Sequence, residues 1–128
     1  MISVDNNYLE MTDEMLLEAL KATKTDPSLR DRTTGICSSV DNYFGRKGYY
    51  TQSSDTYEVR SLMSYWPKFS SKDFYPIPSP VPSKTPHDYF HECHDMWNQE
   101  TEYGKLRWEL LEFCIQRLKD HIYEDKIS

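Results

Sequence analysis

The stretch LRWELLEFCIQRLKDHI, residues 106–122, decides the fold that we predict for this chain. Its apolar residues recur at intervals of three and four, which places them on one face of an α-helix over about five turns. These residues are Leu106, Leu110, Leu111, Cys114, Leu118 and Ile122. A helix with one apolar face must bury that face against other elements. We therefore predict a helical domain around this last helix.

Four further helices are predicted upstream, from capping signals and apolar spacing. The first covers about residues 12–24, and the second begins near Thr34. The third begins at Asp55, where Glu58 would complete a reciprocal cap. The fourth begins at Thr85, whose hydroxyl precedes a proline and a carboxylate. Together with the last helix they predict a mainly α fold of about five helices.

The third helix should end before Pro67, because proline breaks a helix. All but one of the seven prolines lie in residues 67–86. This segment also carries aromatic rings, and we predict that it is irregular but ordered and packs across the helices. Residues 1–128 are expected to form one domain, with a flexible start at 1–11 and a frayed end at 124–128. Eight rings are candidates for the core or for an apolar binding surface: Tyr65, Trp66, Phe69, Phe74, Tyr75, Phe90, Trp97 and Trp108.

The composition narrows the class of protein. A net charge of -6 argues against a protein that coats nucleic acid, which needs clustered Lys and Arg. Three widely spaced cysteines give no disulfide framework and fit a reducing compartment. No run of about 18 apolar residues is present, so no membrane span is predicted. We expect a cytoplasmic protein without a cofactor.

Three histidines provide a candidate metal site on the fourth predicted helix. His87, His91 and His94 fall on one face of that helix, and neutral imidazoles at this spacing can ligate zinc, nickel or copper. The alternative is an ordinary polar helix face, since helix surfaces gather such residues without binding metal.

A run of acidic residues provides a candidate surface for a basic partner. Between Thr85 and Gly104 the chain has no Lys or Arg. A patch of one charge can steer a basic protein toward it. The alternative is a solvated helix end and loop. The acidic residues are Asp88, Glu92, Asp95, Glu100 and Glu102.

A basic stretch earlier in the chain provides a candidate site for a nucleotide. A phosphate would bind the arginines before the second helix, whose free N-terminal amides attract anions, and a base would stack on tyrosine. The alternative is a charged loop with packed tyrosines, because no complete phosphate-loop pattern is present. The candidate residues are Arg30, Arg32, Thr34, Arg46, Lys47, Tyr49 and Tyr50.

No catalytic residue is assigned from the sequence. Cys37, Cys93 or Cys114 could act as a nucleophile beside a histidine, but cysteines on apolar helix faces are typical of buried core positions. Whether the chain is an enzyme is left open, and a binding protein is favoured.

Several segments resemble a family of small uncharacterised accessory proteins of tailed bacteriophages and prophages. They are residues 35–37 (GIC), 66–70 (WPKFS), 74–78 (FYPIP), Trp97 and 102–107 (EYGKLR). The resemblance brings no activity with it. It implies expression inside an infected bacterium, by a non-enzymatic protein that counters host defence or takes over the host. Such a protein would block a host protein or sequester a nucleotide signal. The alternatives are a small metal- or cysteine-dependent hydrolase and a homo-oligomeric scaffold.

Overall fold

The chain is described by a computed structural model, which covers residues 12–30, 35–49, 53–69, 79, 81–85, 88–89 and 96–127. The side chains of 53–57 and 125–127 lie outside this description. Within it, the helices are α1 (Asp13–Thr25), α2 (Ile36–Arg46), α3 (Ser53–Ser64) and α4 (Glu102–Ile127), with a 3-10 turn at Pro27–Leu29 after α1. The described residues contain no strand. The prediction of a mainly helical fold is thus confirmed.

The fourth predicted helix, which should begin at Thr85, and the proline-rich segment are not confirmed, since both lie largely outside the described residues. Two hydrogen bonds at the start of that predicted helix are nevertheless described. The Asp88 backbone N–H donates to Thr85 Oγ1 at 3.1 Å, and the Tyr89 N–H donates to the Thr85 carbonyl at 3.0 Å. The first bond is that of a hydroxyl N-cap, and the two described residues after it, Asp88 and Tyr89, are helical.

The first helix and the turn after it follow their capping residues. Thr12 Oγ1 accepts a hydrogen bond from the Met15 N–H at 3.2 Å, as an N-cap should. Asp26 Oδ1 accepts from the Ser28 N–H at 2.9 Å and opens the 3-10 turn. The expected first helix is therefore confirmed.

The starts of α2 and α3 differ from the predictions. The residue before α2 is Gly35, which has no side chain to cap the helix; the predicted capping residue Thr34 lies outside the described residues. Helix α3 begins at Ser53, so Asp55 is already inside the first turn and cannot be the N-cap. The predicted reciprocal cap is wrong. A carboxylate in the first turn is favourable because of the helix dipole, and it resembles a cap in sequence.

Helix α4 begins on a tightly packed turn. The Gly104 N–H donates to Thr101 Oγ1 at 2.9 Å, and that hydroxyl donates to the Asn98 carbonyl at 2.8 Å. A Cβ atom at Gly104 would lie 1.8 Å from the Asn98 carbonyl oxygen. Only glycine lets this turn lie against the first turn of α4.

The four helices pack in a ring, in which α1 contacts α2 and α4, and α3 contacts α2 and α4. Ion pairs show that α4 runs antiparallel to α1: Lys24 pairs with Glu112 near one end, and Asp13 lies 3.4 Å from His121 near the other. The core lies inside this ring. Its residues from α4 are Tyr103, Leu110, Leu111, Cys114, Ile115 and Leu118. The stripe predicted for the last helix is thus largely confirmed, while Leu106 and Ile122 are only half-buried.

The aromatic candidates divide between core and surface. Trp66 and Trp97 are buried, and Phe69 and Trp108 are half-buried. Tyr65 is 59% exposed and belongs to the surface. Phe74, Tyr75 and Phe90 lie outside the described residues. In the part of the chain that is described, no helix is long and apolar enough to cross a membrane.

Candidate partner-binding site

The two described arginines of the basic candidate site make contacts within the fold. The Arg30 guanidinium lies 4.6 Å from the ring centre of Trp108 and 5.5 Å from that of Trp97. Arg46 donates to the carbonyl of Ser28 at 2.6 Å and to its hydroxyl at 2.7 Å. Arg30 therefore fastens the loop after α1 to the start of α4, and Arg46 fastens the 3-10 turn to the end of α2.

The remaining basic candidates lie at the exposed end of α2. Lys47 Nζ sits 4.6 Å from the ring centre of Tyr43, and Tyr49 is 38% exposed. Gly48 has a φ of 83° that ends the helix, which suits glycine. Arg32, Thr34 and Tyr50 lie outside the described residues. Nucleotide binding at this surface stays a prediction.

The acidic and histidine candidates are described only in part. Asp88, Glu100 and Glu102 are exposed, and Glu102 Oε1 lies 3.5 Å from Lys105 Nζ. No group of three or more His, Cys, Asp or Glu side chains in the described residues is arranged to hold a metal ion. The metal site stays a prediction. The candidates outside the description are Glu92, Asp95, His87, His91 and His94.

The two described cysteines are held as neutral thiols. Burial raises the pKa of Cys37, although the nearby Arg60 guanidinium opposes that rise. Burial raises the pKa of Cys114 to about 12, and the adjacent Cys37 adds to the effect. Because the thiolate is the nucleophile, neither side chain is activated at neutral pH. Cys93 lies outside the described residues.

A cleft of about 390 Å³ opens where α1, α3 and α4 meet, and no sequence prediction placed a site there. We call it the Tyr65 cleft. The floor is apolar, with Leu16 and Leu118 in the core below it. The lining residues are Asp13, Leu16, Glu58, Ser61, Leu62, Tyr65, Arg117, Leu118, Asp120, His121 and Glu124.

One end of the Tyr65 cleft is formed by a stacked pair. The Arg117 guanidinium lies 3.6 Å from the ring centre of Tyr65, which is close enough for a cation–π contact. The ring remains 59% exposed. Arg117 therefore covers one face of the ring, and most of the side chain still faces solvent.

The other end of the cleft is acidic. Asp13 is bridged to His121 at 3.4 Å, and Asp120 accepts a hydrogen bond from Gln116 at 2.9 Å. The carboxylates of Glu58 and Glu124 line the same end and form no ion pair with any described residue. These two carboxylates thus have no cationic partner among the residues that the structure describes.

Comparisons of the chain with protein-family models, with curated proteins and with solved structures give no match. Function must therefore be inferred from this chain's own residues. The resemblance to phage accessory proteins stays a prediction.

A second groove, on another side of α4, differs from the Tyr65 cleft in its charges. This groove has a volume of about 520 Å³ and is lined in part by Trp66, Pro67 and Phe113. Lys68 Nζ lies 2.9 Å from Glu109 Oε2 across it. Its principal charges neutralise each other, so they offer less to a charged partner.

The sequence does hold a signal for the Tyr65 cleft, although only in hindsight. Glu58 and Leu62 lie on one face of α3, and Tyr65, directly after its last residue, continues the spacing of four and three residues. Arg117, His121 and Glu124 have the same spacing on α4. Which two faces meet depends on the packing of the helices, which the spacing does not determine.

Proposed function

We propose that the chain is a non-enzymatic binding protein that engages a partner protein through the Tyr65 cleft. The observation that carries the proposal is the exposed ring of Tyr65, held from one side by Arg117. Tyrosine and arginine are enriched at the centres of protein interfaces, where a few such residues supply much of the binding energy. A ring that is already fixed loses little conformational entropy when a partner covers it.

The resemblance to phage accessory proteins gives this binding a setting. A protein made inside an infected bacterium meets host proteins, and binding one of them at a functional surface would block it. We therefore propose a counter-defence or host-takeover role, in which the Tyr65 cleft is the contact surface. The charges around the cleft support a partner with a basic surface, since opposite potentials speed association and favour specific pairing.

Catalysis and nucleotide sequestration have weaker support. The thiols of Cys37 and Cys114 are kept neutral by burial, which does not favour a cysteine nucleophile. Arg30 and Arg46 are engaged by tryptophan rings and by Ser28, so a phosphate would have to compete with these contacts.

The test is capture of a partner from bacterial lysate by the full chain carrying an affinity tag. Wild-type protein should retain a host protein, and Tyr65→Ala should lose it. Tyr123→Ala is the matched control, because Tyr123 is also a highly exposed tyrosine, at 65%, but does not line the cleft. The captured protein is then purified and its dissociation constant measured against each variant. We expect Tyr65→Ala to weaken binding at least about 30-fold, as for an interface hot spot.

The proposal fails if both tyrosine variants retain the partner equally, or if wild-type protein captures none. Circular dichroism of each variant shows whether the helices are intact. Since Tyr65 is exposed, its replacement should leave the fold unchanged.

A further inference from the structure

We infer that the occupant of the Tyr65 cleft is a basic amphipathic helix of the partner protein, with lysine or arginine over the acidic end and leucine-like side chains on the floor. This inference rests on the proposed function, because it names the kind of element that the same cleft would bind.

The charge of the cleft favours a basic partner. Four carboxylates line the cleft, Asp13, Glu58, Asp120 and Glu124, against one guanidinium, that of Arg117. Arg117 is turned onto the Tyr65 ring, and it forms no ion pair with a described carboxylate. Even with the His121 imidazole beside Asp13, the described lining residues therefore leave the cleft a net negative charge. A cation from a partner would meet Glu58 and Glu124 without displacing an ion pair between described residues.

The cleft combines an apolar floor with a charged rim. Leu16 and Leu118 lie beneath the cleft, and Leu62 is half-buried beside them. A purely cationic ligand such as a metal ion or a polyamine would leave this floor uncovered. A helix with one apolar face and basic flanks covers the floor and the rim together, as in other complexes where an amphipathic helix lies in a groove.

The length of the cleft suits a short helix. One wall runs from Glu58 in α3 to Tyr65 directly after that helix, and the other runs from Arg117 to Glu124 in α4. Each wall therefore spans eight residues, and the α4 wall is roughly 10 Å long. Two turns of a bound helix have the same length. Over that distance such a helix presents cations at one end and apolar side chains three or four residues away.

The two walls run in opposite directions. Tyr65 directly follows α3 and contacts Arg117, so the end of α3 lies beside the first residue of the α4 wall. Glu58 lines the same cleft about two turns earlier along the chain, and the α4 residues that line it run from Arg117 to Glu124. Glu58 and Glu124 consequently lie at the same end of the cleft, and the stacked Tyr65 and Arg117 lie at the other. The two ends of the cleft therefore differ in charge, and this difference gives a bound basic helix a preferred orientation.

The experiment uses the full chain and a synthetic helical peptide of leucine and lysine, labelled for fluorescence anisotropy. Two further peptides separate the contributions, one with glutamate in place of lysine and one with alanine in place of leucine. The leucine–lysine peptide should bind and should weaken as salt rises, while both altered peptides should bind much more weakly. The double variant Glu58→Gln, Glu124→Gln should weaken binding by about three- to tenfold, as expected for two exposed charge contacts.

The matched control is the double variant Glu14→Gln, Glu18→Gln, which removes the same charge from two exposed positions of α1 that do not line the cleft. It should bind the peptide like wild-type protein. Equal weakening by both double variants would show attraction to net charge alone and overturn the inference, as would absence of binding by the leucine–lysine peptide. Either result would leave the proposed function standing if Tyr65→Ala still lost the lysate partner. Failure of that capture test would remove the proposed function itself.

Discussion

At the scale of single residues, the four glycines are not equivalent. A Cβ atom at Gly104 would lie 1.8 Å from the Asn98 carbonyl oxygen, a backbone atom that cannot swing away. A Cβ atom at Gly45, inside α2, would meet nothing within 4 Å. One glycine allows a close approach of two backbone segments, while the other has room for a side chain.

We predict that Gly104→Ala lowers the free energy of unfolding by about 1–3 kcal/mol, since the turn before α4 must shift. Gly45→Ala is the control, and it should be neutral or raise that free energy by up to about 1 kcal/mol, because alanine favours the helix. Urea denaturation followed by circular dichroism measures both. Equal stability of the two variants would contradict the close packing of Asn98 on Gly104.

At the scale of elements, the 3-10 turn is joined to α2 by two side chains, one of which, Arg46, the sequence assigned to a ligand. Arg46 donates two hydrogen bonds to Ser28, and Ser39 Oγ donates to the Leu29 carbonyl at 3.3 Å. An arginine near a helix end looks alike in sequence whether it binds a phosphate or a neighbouring turn. Only the packing of the turn on α2 distinguishes the two roles.

We predict that Arg46→Ala lowers the free energy of unfolding on the order of 1 kcal/mol, through loss of its bonds to Ser28. Lys47→Ala should change it by less than about 0.5 kcal/mol, because that side chain is exposed. Thermal melts without ligand measure this difference. The same melts with a nucleotide panel test the binding prediction: Lys47→Ala should abolish a nucleotide-induced rise in Tm if the basic surface is a site. If Lys47→Ala lowered the stability of the protein and Arg46→Ala did not, the structural role of Arg46 would be contradicted.

The elements themselves were predicted best where local signals act alone. The cap at Thr12 and the apolar spacing of α4 each depend on neighbours within one or two turns, and both are confirmed. The predicted start of α3 was wrong, because an aspartate such as Asp55 suits the first turn of a helix as well as the N-cap position. The Tyr65 cleft was not predicted at all, since it needs the relative positions of three helices. Sequence periodicity identifies a buried face but does not say which helix covers it.

At the scale of the whole molecule, α4 links the other helices, and this predicts how the protein unfolds. Leu111 is fully buried on α4, which packs against both α1 and α3. Leu111→Ala should therefore lower the free energy of unfolding by about 2–5 kcal/mol, and the four helices of the ring should lose stability as one unit. Tryptophan fluorescence reports on Trp66, Trp97 and Trp108, and far-UV circular dichroism reports on all the helices. The urea midpoints of the two signals should coincide in wild-type protein, and both should fall by the same amount in Leu111→Ala. The control is Lys119→Ala, on the exposed side of α4, which should leave both midpoints unchanged. Separate midpoints for the two signals would mean that α4 does not join the helices into one cooperative unit.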